Sequence, residues 1–299
     1  MTQLIGVGVQ DYCLLVADRQ ITFPHRPPQQ QTKLLSFCNR AAIAYTGPSM
    51  LDGMPTHDWV AVVLAHTNCQ SMPAALTTIQ TVAPFAVDKL PFAERRLAFM
   101  AVGWGRFPQA DLAPYIATVS NMFGSDGKNL NDPLPTFAID IEHLTAPFPS
   151  ILRVAGVPLL STRVDAFGAN VERLANRQLV GAGMLRLMVE EILATAAVDS
   201  RVSKSALAVC LPRPGSPKPA EPQITVLLNT LPKGELPTFA FFEPGFVSLR
   251  QLGPTFVCGP SAFTDFVATT DPARDSQSVS IRPLKAPPEV VATIHASGL

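Results

Sequence analysis

Apolar positions near the start of the chain come in short blocks. Leu4 to Val9 and Cys13 to Ala17 flank Asp11-Tyr12, and Lys33 to Phe37 and Ala41 to Tyr45 flank Asn39-Arg40. Runs rich in Val, Ile and Leu bounded by turn formers read as strands, and Asp at a turn supplies an Asx-type turn. The pattern predicts two β-hairpins. With Asp11-Tyr12 as the first turn, Asp18 falls opposite Ile5, roughly 10 Å along the strand from Thr2 at about 3.3 Å per residue. With Asn39-Arg40 as the second turn, Lys33 falls opposite Thr46, next to Gly47.

After Pro48 the period lengthens. Asp58 to Ala65 reads as a helix ending near Asn68, and Pro73 opens a second helix through Leu76, Ile79, Val82 and Phe85, since proline is tolerated in a first turn. Leu97–Val102 and Tyr115–Val119 are predicted strands. Residues 123–162 read as an insertion holding two strands, Phe137–Ile141 and Ile151–Val154. A surface hairpin is the default for it and a substrate-access flap the sharper alternative. Phe167-Gly168-Ala169-Asn170 leads into Val171–Leu174. A long helix over Met184–Val198 carries Glu190 and Glu191 on what reads as its solvated face. Ala206–Leu211 is a strand, Leu211–Pro222 a proline-rich extended loop, and Ile224–Leu228 a further strand. Leu231–Leu299 holds Phe239-Ala240-Phe241-Phe242 and is too apolar for a disordered tail. It is expected to pack on the core or on a neighbouring subunit.

The open ends of the two hairpins concentrate the chemistry. A small second residue such as Thr2 permits removal of Met1, which leaves an α-amine and a hydroxyl on one residue. A free α-amine titrates near 7.7–8.0, so part of it is a neutral base at about pH 7, and an N-terminal threonine can use its own amine as the base. Lys33 nearby favours the neutral amine by charge repulsion. Asp18 keeps that lysine ionised and oriented, and the Gly47 N–H could serve an oxyanion. Against this stands a plain reading in which Thr is simply a common second residue.

The run Thr2-Gln3-Leu4-Ile5-Gly6-Val7-Gly8-Val9-Gln10-Asp11-Tyr12-Cys13-Leu14-Leu15-Val16-Ala17-Asp18-Arg19 resembles the mature start of proteasome β-type subunits, which are N-terminal-nucleophile hydrolases. Lys33 and Thr46-Gly47 match that family's next motifs. The resemblance implies an α+β fold, a four-layer αββα sandwich over residues 2–230, with 231–299 as a C-terminal extension. It also implies Thr2 as nucleophile, Asp18 as orienting acid, Lys33 as cationic amine and Gly47 as oxyanion donor. Asp199 matches the family's supporting aspartate, and Ser203 its supporting serine if one residue is inserted. Another family serine is unmatched: Ala169 stands there, and aligning Gly181-Ala182-Gly183 instead again gives alanine. The implied activity is threonine-type amide hydrolysis, most directly of peptide bonds, with no metal or organic cofactor. Two alternatives remain: a catalytically inactive proteasome-like assembly or binding protein, and a small-molecule amidase of the same superfamily. The resemblance further implies a homo-oligomeric ring, with the helices after Pro48 in its contacts and any unfoldase partner left open.

Composition narrows the setting. Formal net charge is zero and no basic run occurs, which argues against nucleic acid. No apolar run reaches transmembrane length and no signal-peptide pattern is seen, so no membrane partner is expected. Five scattered cysteines suggest reduced thiols and a cytoplasmic protein. Cys13 is a conceivable nucleophile, though a mid-strand cysteine is more often core. The five histidines show no metal-binding spacing.

Overall fold

The computed structural model describes residues 2–21, 29–30, 32–37, 41–108, 110–122, 130–176, 182–215, 238–242, 250–252, 255–271 and 276–299. The first strands are β1 (Gln3–Val9), β2 (Tyr12–Asp18), β3 (Leu34–Phe37) and β4 (Ala41–Thr46), followed by helices α1 (Thr56–His66) and α2 (Met72–Val87). Then come β5 (Ala98–Phe107), β6 (Ala110–Ser120), β7 (Ala138–His143), β8 (Ser150–Gly156), α3 (Val164–Asn176) and α4 (Ala182–Ala196). The chain continues with β9 (Ala206–Pro212), β10 (Thr238–Phe242), β11 (Arg250–Leu252), β12 (Thr255–Cys258), β13 (Ser261–Asp271), β14 (Ser276–Leu284) and α5 (Pro288–Ala296). The architecture is mixed α/β, with antiparallel sheets and five helices among the described residues.

Two sheets dominate. The first has the order β8-β1-β2-β9-β10. The second runs β7-β6-β5-β4-β3-β12-β13-β11, with β14 also on β13. Only the β3–β12 pair is parallel among the described ladders. Three buried clusters follow from the alternation of side chains along the strands. Leu4, Leu15 and Ala17 of the first sheet meet Leu34, Ala44 and Met100 of the second. On its other face the first sheet sets Ile5, Val7 and Val16 against Phe167 of α3 and Met188 of α4. The second sheet sets Ile43 and Phe99 against Trp59 of α1, Ile79 of α2 and Ile294 of α5.

Both predicted hairpins form, with shifted registers. Val9 pairs Tyr12 and Leu4 pairs Ala17, so the turn is Gln10-Asp11 and Asp18 comes level with Gln3, not Ile5. Tyr12 favours the strand because its ring packs with the α3–α4 cluster. In the second hairpin Leu34 pairs Ala44, which sets Lys33 level with Tyr45 rather than Thr46. The predicted turn at Asn39-Arg40 lies outside the described residues. Pro73 does sit in the first turn of α2, where the Ser71 hydroxyl accepts the Ala74 N–H at 3.4 Å.

Other expectations are corrected. Residues 138–156 are neither a surface hairpin nor a flap. Strand β7 extends the second sheet beside β6, and β8 pairs along the whole of β1. Arg153 ties β8 to β7 through Asp140 at 2.5 Å and Glu142 at 2.8 Å. Glu191 is not on a solvated face: it is buried and held by Arg163 at 2.6 and 2.8 Å. Every residue of α1 from Thr56 to Ala65 is buried, because β12, β13, β14, α2 and α5 surround it. That removes α1 as the surface expected in ring contacts. The predicted strand Ile224–Leu228 lies outside the described residues. Beyond Leu231, β10 joins the first sheet while β12, β13 and β14 join the second.

Candidate functional site

Thr2 enters β1 at the open end of both hairpins. Its carbonyl accepts the Val157 N–H at 2.8 Å, just past β8. Gly156 makes this approach possible. Its φ is +80°, and a Cβ there would sit 1.8 Å from the Thr2 carbonyl oxygen. Only glycine tolerates both conditions.

Asp18 closes β2 fully buried, and its carboxylate is met from four directions. Oδ2 accepts the Gln3 N–H at 2.8 Å, and Oδ1 accepts the Gln20 N–H at 2.9 Å and the Ser203 N–H at 3.3 Å. The Lys33 ammonium completes the set at 3.3 Å. A buried carboxylate persists as an anion only with such compensation. Lys33, just before β3, is 2 % exposed. It also donates to Thr2 Oγ1. Burial pushes the Lys33 ammonium down to about 8, against the opposing pull of Asp18. The Thr46 hydroxyl ends β4 beside Thr2, accepting the Thr2 N–H at 3.3 Å and donating to the Thr2 carbonyl at 3.4 Å.

The remaining sequence candidates are placed differently. Ser203 gives its N–H to Asp18, while its hydroxyl donates to Ser205 O at 2.6 Å and accepts the Arg19 and Ser205 N–H groups. It braces the aspartate, and its hydrogen bonds among the described residues go to Asp18, Arg19 and Ser205 rather than to Thr2. Asp199 binds Arg201 on a surface turn, through the backbone N–H at 2.9 Å and the guanidinium at 2.6 Å. Hydrogen bonds from Arg201 hold its carboxyl down at about 2. Gly47 is exposed at φ +143°, and a Cβ there would lie 2.5 Å from the Arg96 carbonyl oxygen. Ala169 lies inside α3, not in a loop before a helix. Met1 lies outside the described residues, and so does Gly181; Ala182 and Gly183 open α4. Cys13 is a core residue whose thiol donates to the Gly103 carbonyl, and burial raises its pKa well above the usual thiol range.

Sequence reading missed the direct contacts of Thr46, Gly156 and Val157 with Thr2. One signal was available: a glycine ending an apolar strand often marks a close backbone approach. No group of three or more His, Cys, Asp or Glu is placed to hold a metal ion among the described residues, and no helix there is long and apolar enough to cross a membrane.

No protein-family model matches the chain, and no curated protein matches it. Solved structures similar to it include Anbu (ancestral beta-subunit) from Yersinia bercovieri, at 10 % identity and a TM-score of 0.44, covering 70 % of this chain and 82 % of that one. An Anbu (Gly-1) mutant from Hyphomicrobium sp. strain MC1 is similar at 13 % identity and a TM-score of 0.45, covering 71 % and 83 %. These findings overturn the assignment to the proteasome β-type subunits made on the N-terminal run: no family model matches, and the likeness to Anbu is distant. The residues that carried the resemblance are the N-terminal run, Lys33, Thr46-Gly47, Asp199 and Ser203, a small part of the chain. A likeness this remote carries no argument about activity.

Proposed function

We propose that the protein is a threonine-type amide hydrolase acting on peptide bonds, with Thr2 as nucleophile once Met1 is removed. The observation that carries this reading is the Lys33 ammonium set on Thr2 Oγ1 and paired with buried Asp18. Thr2 Oγ attacks the substrate carbonyl and passes its proton to its own α-amine. The amine returns a proton to the leaving nitrogen as the C–N bond breaks, leaving an ester on Oγ. Water then attacks the ester, giving the acid and restoring the hydroxyl. Lys33 donates to Oγ as negative charge builds there and lowers the proton affinity of the amine. Asp18 holds Lys33, Ser203 holds Asp18, and Gly47 offers its N–H to the oxyanion. Asp199 is assigned an outer electrostatic role.

A wider frame accompanies this reading. The three buried clusters support a helix–sheet–sheet–helix order of four layers, with 231–299 taken as an extension whose described strands join both sheets. The enzyme is taken as a cytoplasmic homo-oligomer that needs no cofactor. A non-catalytic scaffold or binding protein is the second reading, favoured by Thr2 being only 3 % exposed.

Two measurements decide between them. Intact mass shows whether Met1 is absent. An α′,β′-epoxyketone peptide closes a ring only with a vicinal hydroxyl and amine, so it reports an N-terminal threonine directly. The hydrolase reading expects an adduct mapped to Thr2 and lost in Thr2→Ala. With Met1 absent, no adduct across a panel of warhead peptides supports the scaffold. An adduct on Cys13 rules out the threonine mechanism.

A further inference from the structure

An amine that serves as a base must aim its lone pair. The α-nitrogen of a first residue turns freely about its N–Cα bond unless a neighbour holds one of its hydrogens. Lys33 is committed to Thr2 Oγ1 and Asp18, and Ser203 to backbone groups of Arg19 and Ser205. Ala169 is inside α3 and brings no hydroxyl to the site. Among the described residues, the hydroxyl bonded to the Thr2 nitrogen is that of Thr46: with Met1 still joined to it, the Thr2 peptide N–H donates to Thr46 Oγ1 at 3.3 Å, and removal of Met1 turns this same nitrogen into the amine.

The geometry of that hydroxyl defines its role. It accepts the Thr2 N–H and has the Thr2 carbonyl, 3.4 Å away, as the acceptor for its own hydrogen, so toward the nitrogen it presents a lone pair. Thr46 ends β4 in register with Ala98 of β5 and is 7 % exposed, so its backbone is fixed by the sheet. A second, independent feature makes room for the hydroxyl. A Cβ at position 156 would come 2.8 Å from Thr46 Oγ1, and Gly156 leaves that space empty.

We propose that Thr46 is a positioning residue for the amine base. Its hydroxyl holds one N–H of the Thr2 amine and thereby directs the remaining lone pair toward the Oγ proton. The inference rests on Thr2 being the nucleophile proposed above. An acceptor also favours the protonated amine. Removing it therefore lowers the pKa of the amine while the rate falls, because the neutral amine becomes more abundant but is no longer aimed.

The test compares Thr46→Val, which keeps shape and deletes the hydroxyl, with Thr46→Ser, which keeps the hydroxyl. The rate constant for epoxyketone addition at Thr2 is measured from pH 5.5 to 9 for each. Expected is a loss of roughly five- to tenfold in Thr46→Val, in line with one neutral hydrogen bond, with the pH midpoint moved down. Thr46→Ser should stay within about twofold of the wild type, with its midpoint unchanged. If Thr46→Val does not fold, Thr46→Ala takes its place with the same expectation. A wild-type rate and midpoint in the hydroxyl-free variant overturns the inference, as does equal impairment of Thr46→Ser. When the wild type labels normally, such a result leaves the nucleophile assignment standing. A wild type that never labels at Thr2 removes that assignment and this inference together.

Discussion

A buried lysine is tolerable when its charge has a partner, and even then the low-dielectric site favours the neutral form. Lys33 shows the balance: burial draws its pKa from 10.5 to about 8, although Asp18 pulls the other way. Between about pH 8 and 10.5 the unfolded chain binds a proton at this position that the folded chain has released. Stability rises with pH wherever the unfolded state holds more protons. Buried Tyr and Cys groups oppose this trend, since burial raises Tyr12 and Cys210 to about 12. Their effect cancels when two variants are compared. The wild type should therefore gain stability relative to Lys33→Met as pH rises from 8 to 10.5, by on the order of 3 kcal/mol at most. Urea melts of both proteins at pH 7.5, 9 and 10.5 read this, and a constant difference would remove the pKa assignment. Activity should fall far more than stability in Lys33→Ala, and Lys33→Arg should not restore it, because a planar guanidinium cannot replace a compact ammonium at Thr2 Oγ1. The constellation of Thr2, Asp18 and Lys33 was legible because three chemically distinct residues fell at the ends of two readable hairpins. Thr46 was not legible as a partner of the Thr2 nitrogen, since that contact depends on where β4 stops.

At the level of elements, Asp52 joins parts of the chain that are far apart in sequence. It sits at φ +46° in the turn between Leu51 and Met54. Its carboxylate accepts Trp59 Nε1 at 2.9 Å from α1, Lys89 Nζ at 2.5 Å beyond α2, and Thr293 Oγ1 at 2.8 Å from α5. Thr293→Val deletes the hydrogen bond to the Asp52 carboxylate and, with it, one accepted from the half-exposed Lys89 ammonium at 2.6 Å, with little change of shape. It should cost about 1.5–3 kcal/mol, a fall of several degrees in Tm by calorimetry. No change would mean that α5 is held by Val290 and Ile294 alone. Local pattern revealed strands, helices and the placement of Pro73, because period and capping are local properties. It failed where partners are remote. Strand β8 reads like any short apolar run, and only its pairing with β1 shows that it walls Thr2. The first hairpin departs from the register its turn pattern predicts because Tyr12 packs with the α3–α4 cluster instead of turning the chain. Glu191 looks solvated until Arg163, 28 residues away, is folded against it.

Across the whole molecule, the C-terminal third decides which surfaces remain for assembly. From the sequence, α1 is an apolar helix in search of a cover, and a neighbouring subunit is one solution. The fold supplies the cover from within, through β12 to β14 and α5. Uncovering a single side chain the size of Val60 or Leu64 costs about 1.5–3 kcal/mol, so no neighbour could displace the intramolecular partner cheaply. If copies of the chain associate, they do so through other faces. Amide hydrogen exchange tests this at two protein concentrations that bracket any association seen by light scattering. The amides of Val60 to Leu64 should exchange only through global unfolding, at the same slow rate in both samples. Any concentration-dependent protection should appear elsewhere, with α1 unmoved. Fast exchange in α1 that slows as the protein is concentrated would instead mean that α1 is uncovered in the free chain and docks against a second copy.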